Sequence, residues 1–314
     1  MQTIHLSFPA GTSIDIPEAQ AVAIGDFDGV HLGHQDVIHH ALSIARRESI
    51  ASAIMTFDPH PREVLGLAGY SRYLAPLPER LERFAALGVD RTYIVHFDRA
   101  FASVSPERFV EEMLMPLRIH TVVVGFDFTF GHKGKGTVDT LRELGRDRMQ
   151  VDVIKPFNLE GDKVSSTLIR ESLHMGHLER AERFLGRYYS ICGTVVHGEG
   201  RGSTIGVPTA NVEVAMPYVI PKSGVYAVRA HVHGHIHAGV MNIGVKPTFG
   251  GAGPEVLEVH VLDFKGNLYG EELRVEFVHY LRGEVRFGSV EELVAQIQQD
   301  IEHARKVLSD KRNE

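Results

Sequence analysis

AIGDFDGVHLGHQDVIHHALSIARRES, residues 23–49, opens on a short apolar run and turns through Gly25-Asp26-Phe27-Asp28-Gly29. It then carries His31 and His34 on either side of Gly33 before settling into a helical pattern in which Val37, Ile38, Leu42 and Ile44/Ala45 recur at helical spacing. A strand, a glycine turn and a helix in that order make the repeating unit of an α/β fold. Two imidazoles and two carboxylates in one turn of chain are an expensive way to build a core, so the turn points to a ligand.

The alternation continues along the chain. SAIMTFDP, TYIVHFD, TVVVGFDF and VDVIKPF are β-branched, nearly unbroken apolar runs, as expected of strands buried on both faces. PERLERFAALG and PERFVEEMLMPL lie between them, each beginning with Pro and Glu, which suits a first helical turn. An open, Rossmann-like parallel sheet covered by helices follows for residues 1–186. Ligands of such sheets bind at the carboxyl ends of the strands, where GDFDGVHLGH falls.

Near Gly186 the pattern changes. YYSICGTVVHG, GVYAVRAHV, HAGVMNIGV, VLEVHVLDF and ELRVEFVHYLR read as consecutive strands broken by Gly, Pro and Asn turns. SVEELVAQIQQDIEHARKVL then reads as one long amphipathic helix, capped by Ser289 with Glu292 three residues on. Residues 187–314 are therefore expected to form a small antiparallel β-barrel closed by a C-terminal helix.

Composition narrows the class. A chain of 314 residues with 43% hydrophobic and 23% charged residues fits two globular domains. A net charge of −7, spread over both halves, argues against sequence-independent binding to nucleic acid or anionic membrane. Cys192 is the only cysteine, which excludes an intrachain disulfide and suits a reducing compartment. MQTIHLSFPAG has no charged region followed by an apolar core, and no apolar run approaches the roughly 20 residues that span a bilayer. A cytoplasmic location is the expectation. The oligomeric state is left open, a weak homo-oligomer included.

The first candidate site is the histidine turn. Backbone N–H groups and the positive end of the helix dipole face the strand tip at Gly33, and residues three apart share a helix face. His31 and His34 can thus both address one anion and stabilise charge developing on a phosphate. GDFDGVHLGH resembles the nucleotide-binding signature of the nucleotidyltransferase superfamily. Together with TFDPHPRE (56–63), VVGFDFTFGHKGKG (123–136) and VSSTLIRESL (164–173) it resembles the adenylyltransferase half of the bacterial bifunctional riboflavin kinase/FAD synthetase family.

The resemblance implies that His31 and His34 hold ATP phosphates, with Gly25, Phe27, Asp28 and Gly33 shaping the turn. It places Ser165, Ser166, Thr167 and Arg170 at a helix start, where hydroxyls and N–H groups take phosphate oxygens and the arginine counters their charge. VSSTLIRES taken alone reads rather as an ordinary helix N-cap. Asp127 falls at a strand end that the family sets near flavin and ATP. Phe128 and Phe130 suit the core, one of them within reach of an isoalloxazine ring. His60 sits in a Pro-His-Pro loop that the family sets near the flavin, and Lys133 and Lys135 ride on a glycine loop suited to phosphate or to solvent.

The second candidate site is HGEGRGSTIGVPTANVEV (197–214), which lacks a Walker lysine. Gly198, Gly200 and Gly202 around Arg201 allow backbone N–H groups to close on phosphates. Followed by P-T-A-N, the stretch resembles the riboflavin kinase family, and the likeness runs on through MNIGVKPTFGG, LEVHVLDF and LRGEVRFGSVEEL. Thr209 and Asn211 alternate on a strand and so share a face. The resemblance makes them ligands of Mg²⁺ and ATP phosphates, makes Glu258 the general base, and has Arg282, Glu284 and Phe287 help close the flavin site, with a structural role at the helix entry as the alternative.

His231, His233, His235 and His237 alternate around Gly234 and read as a hairpin with solvated histidines rather than a zinc site. His39 and His40 read as surface, and Cys192 as a packed residue.

The reading is a flavin-cofactor enzyme: riboflavin to FMN with ATP and Mg²⁺ in the C-terminal half, then FMN to FAD with ATP in the N-terminal half. Two rivals remain. A different H-x-G-H enzyme is disfavoured by the PTAN half and by the missing K-M-S-K-S loop. A flavin- or nucleotide-binding regulator with lost catalysis is separated from it only by a turnover assay.

Overall fold

The structure is a computed structural model describing residues 1–10, 16, 18–67, 71–198, 206–248 and 251–310, with backbone alone at 246–248 and 251–254. Its contacts divide the chain into two compact units, Met1–Ser166 and Thr167–Glu314. Gly200, Arg201 and Gly202 lie outside the described residues.

Unit 1 is built on six strands, β1 (Gln2–Leu6), β2 (Gln20–Ile24), β3 (Ala51–Asp58), β4 (Arg91–His96), β5 (Ile119–Gly125) and β6 (Gln150–Ile154). All neighbours are parallel, in the order β1-β4-β3-β2-β5-β6. Helices α1 (Leu32–Glu48), α2 (Pro61–Val64), α3 (Leu77–Ala86), α4 (Pro106–Phe109) and α5 (Val138–Leu144) complete it with a short ribbon, β7 (Asn158–Leu159) and β8 (Asp162–Lys163). Successive strands step one way from β2 and the other way from β5, so the sheet's switch point lies between those two. Both chains leaving it, GDFDG after β2 and FDFTF after β5, are the stretches singled out for function, as the switch-point rule requires.

The four inner strands are sealed from both sides, whereas β6, expected to be buried on both faces, is an edge strand with no fully buried residue. Val22, Ile24, Met55, Tyr93, Val95, Val122 and Val124 pack in one cluster, and Ala21, Ala23, Ile54 and Val123 in another with Val37, Ile38, Leu42, Ile44 and Ala45 of α1. That is the helical face the spacing predicts.

PERFVEEMLMPL departs from the expected single helix. One α turn over Pro106–Phe109 passes into a π turn at Val110–Leu114 and a 3₁₀ turn at Met115–Leu117. Pro116 is the cause: it has no N–H to offer the carbonyl of Glu112. The Ala10 N–H donates to that carbonyl instead, at 3.0 Å.

Unit 2 opens with α6 (Ser166–Met175, its first residue in unit 1) and α7 (Leu178–Leu185). Six strands follow: β9 (Tyr189–Val196), β10 (Ala210–Glu213), β11 (Gly224–Val232), β12 (His235–Thr248), β13 (Gly251–Val261) and β14 (Glu272–Arg282). They close a barrel in the order β10-β13-β12-β11-β14-β9, every pair antiparallel. Ile191, Tyr226, Met241, Val259, Val275 and Phe277 are buried, at alternate strand positions facing inward.

The closing helix α8 (Val290–Asp310) packs Ala304 and Leu308 on Val225, Ala227, Val240 and Val278 of the barrel's outer face. Ser289 caps it as expected, the Glu292 N–H donating to Ser289 Oγ at 3.2 Å, while the Glu292 carboxylate accepts from the Gly288 N–H at 2.8 Å, one residue before the cap. Arg282 locks the helix to β14 through a fork on Asp300, with Nε to Oδ1 at 2.9 Å and Nη2 to Oδ2 at 2.7 Å.

Three smaller expectations are refined. His233 and Gly234, both at positive φ, form the two-residue turn between β11 and β12, so the histidine run is a hairpin. His233 pairs with Glu271 and His231 with Glu276, and no group of three or more His, Cys, Asp or Glu among the described residues could hold a metal ion. His40 is engaged rather than free on the surface, at 2.8 Å from Asp152 Oδ2. Cys192 lies on β9 and is partly exposed.

Candidate active sites

In unit 1 the chain leaves β2 through a contorted turn. Phe27, Gly29 and Val30 all have positive φ (51°, 84° and 42°), and Phe27 and Val30 are buried. Only glycine accepts such a conformation freely, and a β-branched residue there is an outlier typical of functional sites. The turn is over-determined from both sides. The Asp28 carboxylate, buried, accepts the N–H groups of Leu74 and Ala75 at 2.9 and 3.1 Å, and the Asp28 carbonyl accepts from Ser166 Oγ at 3.0 Å. Asp28 thus shapes the turn.

His31 caps α1. Its Nδ1 accepts the His34 N–H at 3.2 Å, so in the neutral ring Nε2 carries the hydrogen and can donate to an anion. The two imidazoles stack with centroids 3.5 Å apart and 19° between planes, and the His34 ring meets the Phe27 ring edge-on. Gly33 leaves the His31 ring room: a Cβ there would lie 3.3 Å from it.

The remaining expected residues of this site are placed as follows. Gly25 continues the sheet, its N–H on the Met55 carbonyl. Ser165 and Ser166 are partly exposed and Thr167 exposed at the start of α6, with Arg170 buried one turn on. Asp127 is exposed and held by Lys163 Nζ at 2.7 Å, which also lies over the Phe126 ring. The HKGKG loop is pinned, not loose: Phe130 and Gly136 exchange backbone hydrogen bonds at 3.0 and 2.9 Å across its base, leaving Lys133 and Lys135 exposed. Phe130 is buried and stacks on Phe128.

Asp26, Arg80 and the partners of His60 escaped the sequence reading. His60 is buried and caps α2, its Nδ1 accepting the Arg62 N–H at 3.0 Å. Its Nε2 lies 3.7 Å from Asp26 Oδ2. Arg80, fully buried, donates to the Asp26 carbonyl at 2.8 Å and to Thr56 Oγ1 at 3.0 Å. Desolvation raises the Asp26 carboxyl above its usual range, against the pull of His60, Arg80 and Arg62. Nothing local in the sequence signals this cluster, because it joins three separate segments.

In unit 2 the strand register assembles the site. Asn211 on β10 stands opposite Glu258 on β13. Thr209 precedes the strand, partly exposed, and the carbonyl of its neighbour Pro208 meets His260 Nδ1 at 2.7 Å. Gly198 lies so near that a Cβ would stand 2.0 Å from Asn211 Nδ2. Glu284 reaches back over β12: its Oε1 would lie 3.0 Å from a Cβ on Gly244. Arg282 spends its guanidinium on Asp300, with the Phe287 ring 5.9 Å away.

A family profile described as FAD synthetase matches residues 13–168, and one described as riboflavin kinase matches residues 185–308. A bifunctional riboflavin kinase/FMN adenylyltransferase of Listeria monocytogenes serovar 1/2a is 42% identical over 306 residues, 97% of this chain and 98% of the relative. The chain belongs to the bifunctional riboflavin kinase/FMN adenylyltransferase family. A further family relative, from Bacillus subtilis strain 168, is 39% identical over 99% of this chain and its own full length. A solved structure described as a macrolide-efflux protein from Streptococcus pneumoniae superposes with a TM-score of 0.87 at 31% identity, covering 96% of this chain and 99% of that one. Among the described residues no helix is long and apolar enough to cross a membrane.

Proposed function

We propose that residues 187–314, within unit 2, phosphorylate riboflavin to FMN and that residues 1–186, unit 1 with α6 and α7, adenylylate FMN to FAD, each with ATP, in the cytosol. Membership of a two-activity family supports both reactions. The observation that carries the assignment of residues is the ladder pairing of Asn211 with Glu258, which sets an oxygen-donor strand beside a carboxylate in a unit separate from the histidine turn.

In the kinase step the Glu258 carboxylate takes the proton of the ribityl 5′-hydroxyl as that oxygen bonds to the γ-phosphorus of ATP; the bond to the bridging oxygen breaks and ADP leaves. Thr209 and Asn211 offer neutral oxygens of the kind a hard cation takes alongside substrate phosphates, so the donor set fits Mg²⁺. When bound, the ion supplies charge neutralisation on those phosphates. Gly198 lies on the phosphate side, where the resemblance also assigns Gly200, Arg201 and Gly202 to ATP, and Glu284 and Arg282 flank the flavin.

In the adenylyl step a phosphate oxygen of FMN attacks the α-phosphorus of ATP and pyrophosphate leaves, with no covalent enzyme intermediate. His31 Nε2–H, His34 and the α1 N-terminus stabilise the charge on the phosphates, Ser165 and Ser166 add hydroxyl donors, and Asp127 lies on the flavin side. Incubation with riboflavin, ATP and Mg²⁺, with flavins resolved by chromatography, tests the reading. FMN and then FAD are expected; neither appearing leaves the regulator reading.

A further inference from the structure

Glu258 has two cross-strand neighbours. Asn211 stands opposite it on β10 and Asn242 on β12. The flanking residues Leu257, Val259, Met241 and Ile243 are buried, while Asn242 and Glu258 are partly exposed. Alternation therefore sends both polar side chains to the outer face of the barrel. The next residue in the row, Val225 on β11, already lies beneath α8. The exposed row is thus Asn211, Glu258, Asn242, with the carboxylate between two amides about one strand spacing, ~4.8 Å, from each.

The two amides face different surroundings. Asn211 abuts Gly198, the residue read as facing the ATP phosphates. Asn242 sits beside Gly244, where a Cβ would lie 3.5 Å from Asn242 Nδ2 and 3.0 Å from Glu284 Oε1. The missing side chain leaves room between Asn242 and the LRGEVRF segment. In phosphoryl transfer the attacking oxygen and the leaving oxygen lie roughly in line through phosphorus. With ATP phosphates on the Asn211 side of the base, the alcohol has to come from the Asn242 side. A carboxamide offers two donors and an acceptor, and each hydroxyl of a polyol offers both roles, so the two match.

We propose that Asn242 is a substrate-binding residue of the kinase, holding a secondary ribityl hydroxyl of riboflavin so that the neighbouring 5′-hydroxyl lies on Glu258. The inference rests on reading unit 2 as the riboflavin kinase.

The test uses the full chain with riboflavin and with analogues lacking one secondary ribityl hydroxyl at a time. Asn242→Ala is expected to lower kcat/KM for riboflavin roughly tenfold, the worth of one hydrogen bond to substrate, and to leave KM for ATP unchanged. On one analogue the wild type and the variant are expected to coincide, because the partner hydroxyl is already gone. Asn242→Ser, which keeps a hydrogen-bonding group, should recover part of the loss, and it carries the test if the alanine variant melts early. An equal loss on every analogue, a raised KM for ATP, or no loss at all overturns the inference while leaving the kinase reading intact. Absence of FMN with the unaltered protein overturns the kinase reading, and this inference with it.

Discussion

His60 Nε2 lies 3.7 Å from Asp26 Oδ2, too far for a direct hydrogen bond and near enough for charge to be felt. The carboxyl is raised because desolvation outweighs that attraction. A carboxyl whose folded pKa exceeds its unfolded value favours the fold below the unfolded pKa and loses that contribution as pH rises through the folded one. Asp26→Asn is therefore expected to melt higher than the wild type at pH 7–8, with the gap closing as pH falls toward the ordinary value of 3.8. Calorimetric scans across that range check it; a variant that melts lower at neutral pH would mean that His60 and the arginines dominate.

His31→Ala should stop FAD formation while FMN accumulates. Removing a preorganised donor to a phosphate costs roughly 10²–10³ in rate. The same change removes the helix cap on His34, worth about 1 kcal/mol, so a small fall in melting temperature accompanies it. Flavin chromatography after riboflavin feeding reads the block. Loss of both reactions in a folded protein would end the two-site description.

Glu258→Ala should do the converse. Loss of a positioned general base costs roughly 10²–10⁴, so riboflavin stays unphosphorylated, yet supplied FMN is still converted to FAD. Separate assays from each flavin make the comparison.

Gly198→Ala places a methyl 2.0 Å from Asn211 Nδ2, a distance no packing tolerates. The amide has to turn away, and kinase activity should fall at least tenfold with little change in melting temperature, since the glycine lies beyond the end of β9. Activity at the wild-type level would show that the Asn211 side chain is not needed where it stands.

The fold was legible where burial is complete. Parallel strands sealed on both faces appear as unbroken apolar runs, as β2 to β5 do; VDVIKPF carries the same signature, yet β6 is a partly exposed edge strand. Strand β1, Gln2–Leu6, was not legible: it is an edge strand paired only with β4, and four of its five residues are at least partly exposed. The histidine turn was legible because its chemistry lies within one turn of chain. The neighbourhood of Asp26 was not, because Thr56, His60 and Arg80 reach it from 30 to 54 positions away. Asn242 looked like one more strand residue until the register set it beside Glu258.

Pro116 leaves the Glu112 carbonyl without a helical donor, and the Ala10 N–H takes the vacancy. Restoring an ordinary helix former at position 116 would set two amides competing for one oxygen, and the segment that follows the first strand would risk losing its mooring. An irregular stretch of helix thus adds a tie to the segment that follows β1, which the sheet itself holds through β4.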